Sequence, residues 1–176
     1  MDHEAVEGVM PFMDQDLSLT VYVRTLKRLY GIVAAWEEQA SRSAPEWLQP
    51  TLAARARSGM LASDLAVFGE TPSSDRASLP PFAEIDSLLG AMYVMEGSTL
   101  GGQYIARHVE KTFGFEPGQG NAFFLGHGTQ TGSMWKEFCS MLETRVPEDK
   151  AEDVVVSAKT MFAAFSEWMQ SSSDSI

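Results

Sequence analysis

The sequence predicts an all-α fold, a single-domain helical bundle, on three observations. Apolar residues recur at three- and four-residue steps along most of the chain, and no segment alternates with period two for long enough to force a strand. Glycines and prolines fall mainly between the periodic stretches, where helix ends belong. A length of 176 residues is enough for one sizeable core. Residues 1–170 are expected to form that domain, with 171–176 a frayed serine-rich tail.

The elements follow in order. Residues 3–10 form a short segment flecked with apolar side chains and stopped by Pro11. Ser18 is placed as the N-cap of a helix whose Leu19, Tyr22, Val23, Leu26, Leu29, Tyr30 and Val33 share one face, and which runs to about Ala40. Pro45 and Pro50 mark a loop, and a third helix covers 51–68 with Gly69 as its stop. The stretch ETPSSDRASLPP (70–81) is loop by composition. A long helix covers 82–112, then a turn-rich segment at 116–121, then a helix from Thr131 to Arg145. Pro147 suits a first helical position, with Glu148 and Asp149 favourable against the dipole. The last helix collects Val154, Val155, Ala158, Met161, Phe162, Phe165 and Met169 on one side.

Composition narrows the function. The formal net charge is -11, from 13 Lys and Arg against 24 Asp and Glu, and such a surface repels nucleic acid. No apolar run approaches the ~18 residues of a membrane span. The start Met1-Asp2-His3-Glu4 is acidic where a signal peptide is basic, and Cys139 is the only cysteine, so the expected setting is cytoplasmic. A lone cysteine also excludes an internal disulfide and any multi-cysteine cluster.

One helix breaks a local rule. Between Leu88 and His108 good helix formers flank a middle holding Gly97, Gly101 and Gly102, each costing about 1 kcal/mol against alanine. Gly97 and Gly101 stand four apart and share a face, with Gly90 two turns earlier. Two readings stay open on residues alone: close packing of a neighbouring helix, or a flat ligand lying across a face without Cβ atoms. A phosphate loop is excluded, because no strand precedes the glycines and no Gly-Lys-Ser/Thr follows.

The stretch LGAMYVMEGSTLGGQYIARHV (89–109) resembles the distal helix of haem oxygenases, particularly the bacterial biliverdin-producing kind associated with phytochromes. HEAVE at 3–7, LYG at 29–31, GHGTQTGSMWKEF at 126–138 and AKTMF at 158–162 match in the same order, so the resemblance spans nearly the whole chain. GSTLGG followed by TGSMW is its most specific part.

The resemblance implies a haem oxygenase-like bundle with haem between the first helix and the glycine-interrupted distal helix. It implies that haem is both substrate and cofactor, cleaved at a meso carbon to biliverdin, carbon monoxide and free iron with oxygen and an external reductant. His3 matches the neutral histidine that ligates the iron, and Glu7, one turn on, would orient its other ring nitrogen. Gly97 and Gly101 would let the helix approach the ring, with Gly102 beside them. Ser98 would order the water that delivers a proton, at a position where animal relatives carry an aspartate. Lys136 would meet the haem carboxylates, Tyr93 would offer a hydrogen bond, and Phe162 would pack against the ring. His108 is expected at a helix end and His127 in a turn; Trp135, Trp168 and Tyr30 are expected in the core.

No flavin or nicotinamide fingerprint is present, so electrons must come from a ferredoxin or reductase, and a phytochrome is the implied recipient of biliverdin. Two alternatives stand beside this: a non-catalytic haem-binding or storage protein of the same fold, and a helical enzyme of related fold using Cys139 as nucleophile. For the latter no base is recognisable near Cys139, and a small buried cysteine is the simpler reading.

Overall fold

The structure is a computed structural model that describes residues 11–171, and every described element is helical. Seven α-helices follow in order: α1 (Leu19–Ser43), α2 (Gln49–Ala54), α3 (Ser58–Val67), α4 (Ile85–Phe113), α5 (Ala122–Leu125), α6 (Thr131–Arg145) and α7 (Ala151–Gln170).

Helix α1 starts where the cap predicts, with the Val21 amide donating to Ser18 Oγ at 3.2 Å. It continues past Ala40 to Ser43, and ends before Pro45, whose ring disfavours a helical preceding residue. Its buried face carries Tyr22, Leu26, Leu29, Ile32, Val33 and Trp36.

The single helix expected over 51–68 is two helices, broken at Arg55–Arg57. Helical periodicity runs through this stretch, but both arginines are buried and the break turns them inward. Arg55 pairs with Glu96 and donates to the Met134 carbonyl at 2.9 Å. The backbone amides of Arg57 and Ser58 donate to Glu37 Oε1 at 2.6 and 2.9 Å, which satisfies the exposed start of α3 from across the bundle.

Helix α4 is the spine. Glu84 and Ser87 form a reciprocal capping box, and Gly114 (φ 72°) ends the helix in the left-handed conformation. Phe82, expected within it, lies before it with its ring 5.4 Å from Trp36. Helix α7 lies against the N-terminal part of α4, where Ser157 Oγ donates to the Ser87 carbonyl at 2.8 Å. A Cβ on Gly90 would stand 2.4 Å from the Val154 carbonyl oxygen, so this glycine is required by helix–helix contact.

Further along, Gly102 meets α5 in the same way, its Cβ position 2.5 Å from the Phe124 carbonyl oxygen. Helix α5 is held in turn by Asp64, fully buried on α3, which accepts from the Ala122 and Phe123 amides at 2.7 and 2.9 Å. Pro147 caps a short 3-10 turn (Glu148–Lys150) rather than opening α7 directly. Among the described residues no helix is long and apolar enough to cross a membrane.

Candidate haem-binding face

The central turns of α4 present two faces of opposite character. On one side, towards α1 and α2, Met92 and Glu96 line a crevice of about 210 Å³ together with Trp36, Leu52 and Arg55. That volume falls below the ~300–1,000 Å³ usual for ligand pockets. On the other side Gly97 and Gly101 stand one turn apart on a surface with little above it. Among the described residues, a Cβ at Gly97 would have only the Trp135 ring within 4 Å, at 3.8 Å, and one at Gly101 would meet nothing. Leu100 and Tyr104, which border this strip, are 41% and 71% exposed.

No packing within the described residues therefore explains Gly97 or Gly101. Each costs about 1 kcal/mol against alanine in a helix, with no contact among the described residues to offset it. What the missing Cβ atoms leave is a smooth strip bounded by apolar side chains. A flat, largely apolar molecule fits such a strip, because van der Waals contact with backbone over two turns needs the absence of side chains.

The strip has a wall and a polar edge. Tyr93, one turn before Gly97, is half-buried with its ring 5.2 Å from that of Trp135 on α6, and the Phe138 ring lies tilted 6.5 and 5.9 Å from the two. Lys136, next to Trp135, is exposed. Ser98 is exposed beside Gly101; its hydroxyl donates to the Met95 carbonyl at 2.7 Å and accepts from Arg57 Nη2 at 3.2 Å.

The other expected residues distribute as follows. Gly102, next to Gly101, is buried, and a Cβ on it would meet the Phe124 backbone. Phe162 is half-buried on α7, the helix that abuts Gly90. His3 and Glu7 lie outside the described residues. His108 has its Nε2 3.4 Å from the Asp14 carbonyl oxygen, and His127 sits between two positive-φ glycines, Gly126 and Gly128. Burial and the positive charge of Arg57 push the His127 pKa down, which favours the uncharged ring. Burial and Glu143 push the Cys139 thiol pKa up, which disfavours the thiolate a nucleophile needs.

Two residues escaped the sequence reading. Trp135, expected as plain core, is the side chain nearest Gly97. Arg57, expected on a continuous helix, is buried with its guanidinium 4.7 Å above the Phe123 ring and one N–H on Ser98. The TGSMW stretch could have flagged the first. Nothing local flags the second, because its burial depends on a helix break made by distant partners.

Comparison with known proteins decides the family. A family model described as heme oxygenase matches residues 2–171. A protein of Xanthomonas campestris pv. campestris (strain 8004) named heme oxygenase is 33% identical over 150 residues, covering 82% of this chain and 86% of that protein. The chain belongs to the haem oxygenase family. The NO- and CO-bound heme oxygenase of Neisseria meningitidis has the same fold, with a TM-score of 0.70 at 23% identity over 97% of this chain and 85% of that one.

Proposed function

We propose that this haem oxygenase cleaves haem to biliverdin, carbon monoxide and free iron at the Gly97–Gly101 face of α4. The observation that carries the reading is that, among the described residues, these two glycines have no packing partner to require them, whereas Gly90 and Gly102 do. Bound haem supplies both the iron that activates oxygen and the ring that is cleaved. The chain's own residues bind, orient and control water. Gly97 and Gly101 would let the α4 backbone approach the bound haem, and Trp135 and Tyr93 would wall that face.

Ser98 cannot act as an acid at neutral pH, but its hydroxyl can orient a water for proton delivery at the edge of the strip. His3 is the proposed iron ligand and Glu7 its orienting partner; Lys136 is the proposed contact for a haem carboxylate and Phe162 a further packing residue. Gly102 serves the site indirectly, by seating α5. Electrons come from a separate ferredoxin or reductase, and a phytochrome is the proposed recipient of the product. The lone Cys139 suits a reducing, cytoplasmic setting.

The test is anaerobic haem titration of the wild type and His3→Ala, followed by oxygen and reductant. The wild type is expected to bind haem one to one and then develop biliverdin absorption, while His3→Ala changes the haem spectrum. A stable haem spectrum after reductant and oxygen would make the protein a binder rather than an enzyme. An unchanged spectrum in His3→Ala would remove that histidine as ligand.

A further inference from the structure

A short 3-10 turn, Pro11–Met13, sits beside the far end of the glycine strip. The Asp14 amide closes it on the Pro11 carbonyl at 3.1 Å, and the Asp14 carbonyl oxygen lies 3.4 Å from His108 Nε2 on α4. His108 stands seven residues after Gly101. At 3.6 residues per turn that is nearly the same face, about 10 Å further along the helix. The residues before Pro11, His3 among them, therefore join the fold at the end of the open strip.

One side chain holds that junction. Phe12 is 1% exposed, set edge-on against Tyr22 of α1 (5.8 Å between ring centres) and Phe124 of α5 (4.8 Å). Both neighbours are held in turn. Tyr22 is fully buried and donates to the Gly120 carbonyl at 2.7 Å, just ahead of α5, while α5 itself hangs from Asp64. Phe124 also meets α4 through its backbone, since its carbonyl oxygen is the atom that the missing Cβ of Gly102 accommodates. A single residue thus touches both sides: its ring receives Phe12 and its carbonyl receives the helix of Gly97 and Gly101. Edge-to-face ring contacts fix angle as well as distance, and a close-packed interior passes a displacement on rather than absorbing it.

We infer that Phe12 and Phe124 are positioning residues that set the separation of the two walls of the haem site, one the segment carrying His3 and the other the Gly97–Gly101 face. This rests on the proposed function, which puts His3 on the iron. Both phenylalanines are buried and act through the chain they hold.

The test compares Phe12→Leu and Phe124→Leu with a control, Phe82→Leu, which alters a buried ring against Trp36 ahead of the other end of α4. Two quantities are read on the haem complex: the rate of haem transfer to excess apomyoglobin, and the iron–histidine stretching band of the ferrous form. Phe12→Leu and Phe124→Leu are each expected to speed haem loss roughly two- to tenfold, the value of one aromatic pair, and to shift and broaden the band. The double variant should go no further than the larger single change, because both remove the same contact. Phe82→Leu should lower the melting temperature and move neither haem reading. Phe12→Met, whose unbranched side chain adapts to the socket, covers the case in which a leucine variant does not fold.

An unchanged rate and band in folded Phe12→Leu or Phe12→Met would overturn the inference. So would full additivity in the double variant, or equal changes in Phe82→Leu, which would reduce the effect to a general loss of packing. An iron–histidine band that survives His3→Ala would instead remove the ligand assignment in the proposed function, and this inference with it.

Discussion

The four glycines of α4 form two pairs that do opposite things. Gly90 and Gly102 are buried, and each would drive a Cβ to within 2.4–2.5 Å of a backbone carbonyl oxygen on a neighbouring helix. Gly97 and Gly101 lie between them on a face where, among the described residues, a Cβ would meet only the Trp135 ring, at 3.8 Å, or nothing. The outer pair clamps the helix against α7 and α5; the inner pair leaves a length of it bare. The clamps also serve the bare strip, since a helix fixed at both ends can hold an exposed glycine-containing segment in register. Glycine in a helix thus carries no single meaning, and its role is decided by what stands opposite.

The largest expected effect falls on ligand binding at the inner pair. Gly101→Leu puts a branched side chain where haem would lie and should weaken haem affinity by on the order of a hundredfold or more, read by titration of the Soret band, with the apoprotein still folded. Unaltered affinity would move the binding face elsewhere.

Next comes stability at the outer pair. Gly90→Ala and Gly102→Ala each force backbone apart and should cost about 1–3 kcal/mol, seen as a fall in apoprotein melting temperature of roughly 2–4 °C per kcal/mol. Gly101→Ala should do the reverse in the apoprotein, gaining about 0.5–1 kcal/mol because an exposed helical glycine only adds unfolded-state freedom. Opposite signs for Gly101→Ala and Gly102→Ala, adjacent residues in one helix, would be the sharpest confirmation of the comparison.

The smallest effect concerns pH at the Gly102 clamp. Burial raises the Asp64 pKa, and the two α5 amides it accepts from only partly oppose the shift. A carboxyl whose folded pKa is raised binds more protons folded than unfolded. Stability is therefore withheld as pH climbs from the ordinary carboxylate range through the raised value. Asp64→Asn keeps one acceptor and should flatten the decline in apoprotein melting temperature as pH climbs out of the ordinary carboxylate range. An identical slope in the variant would mean that another group sets it.

The sequence alone determined the fold class, the existence and type of most helices, and the family, because these rest on signals carried by neighbouring residues. Ser18 caps α1 where its side chain faces its own helix start, and the 131–145 helix has the expected bounds. The GSTLGG and TGSMW stretches carried the family resemblance that the matches bear out. Tertiary structure decided what no local pattern encodes. The helix expected over 51–68 breaks because Glu37 and Glu96, distant in sequence, provide partners for its amides and for Arg55. A periodicity rule cannot foresee an acceptor on another helix. The same holds for α4: its sequence announced that glycines were needed, but only the positions of Val154, Phe124 and Trp135 sorted the two that receive another helix from the two that stay open.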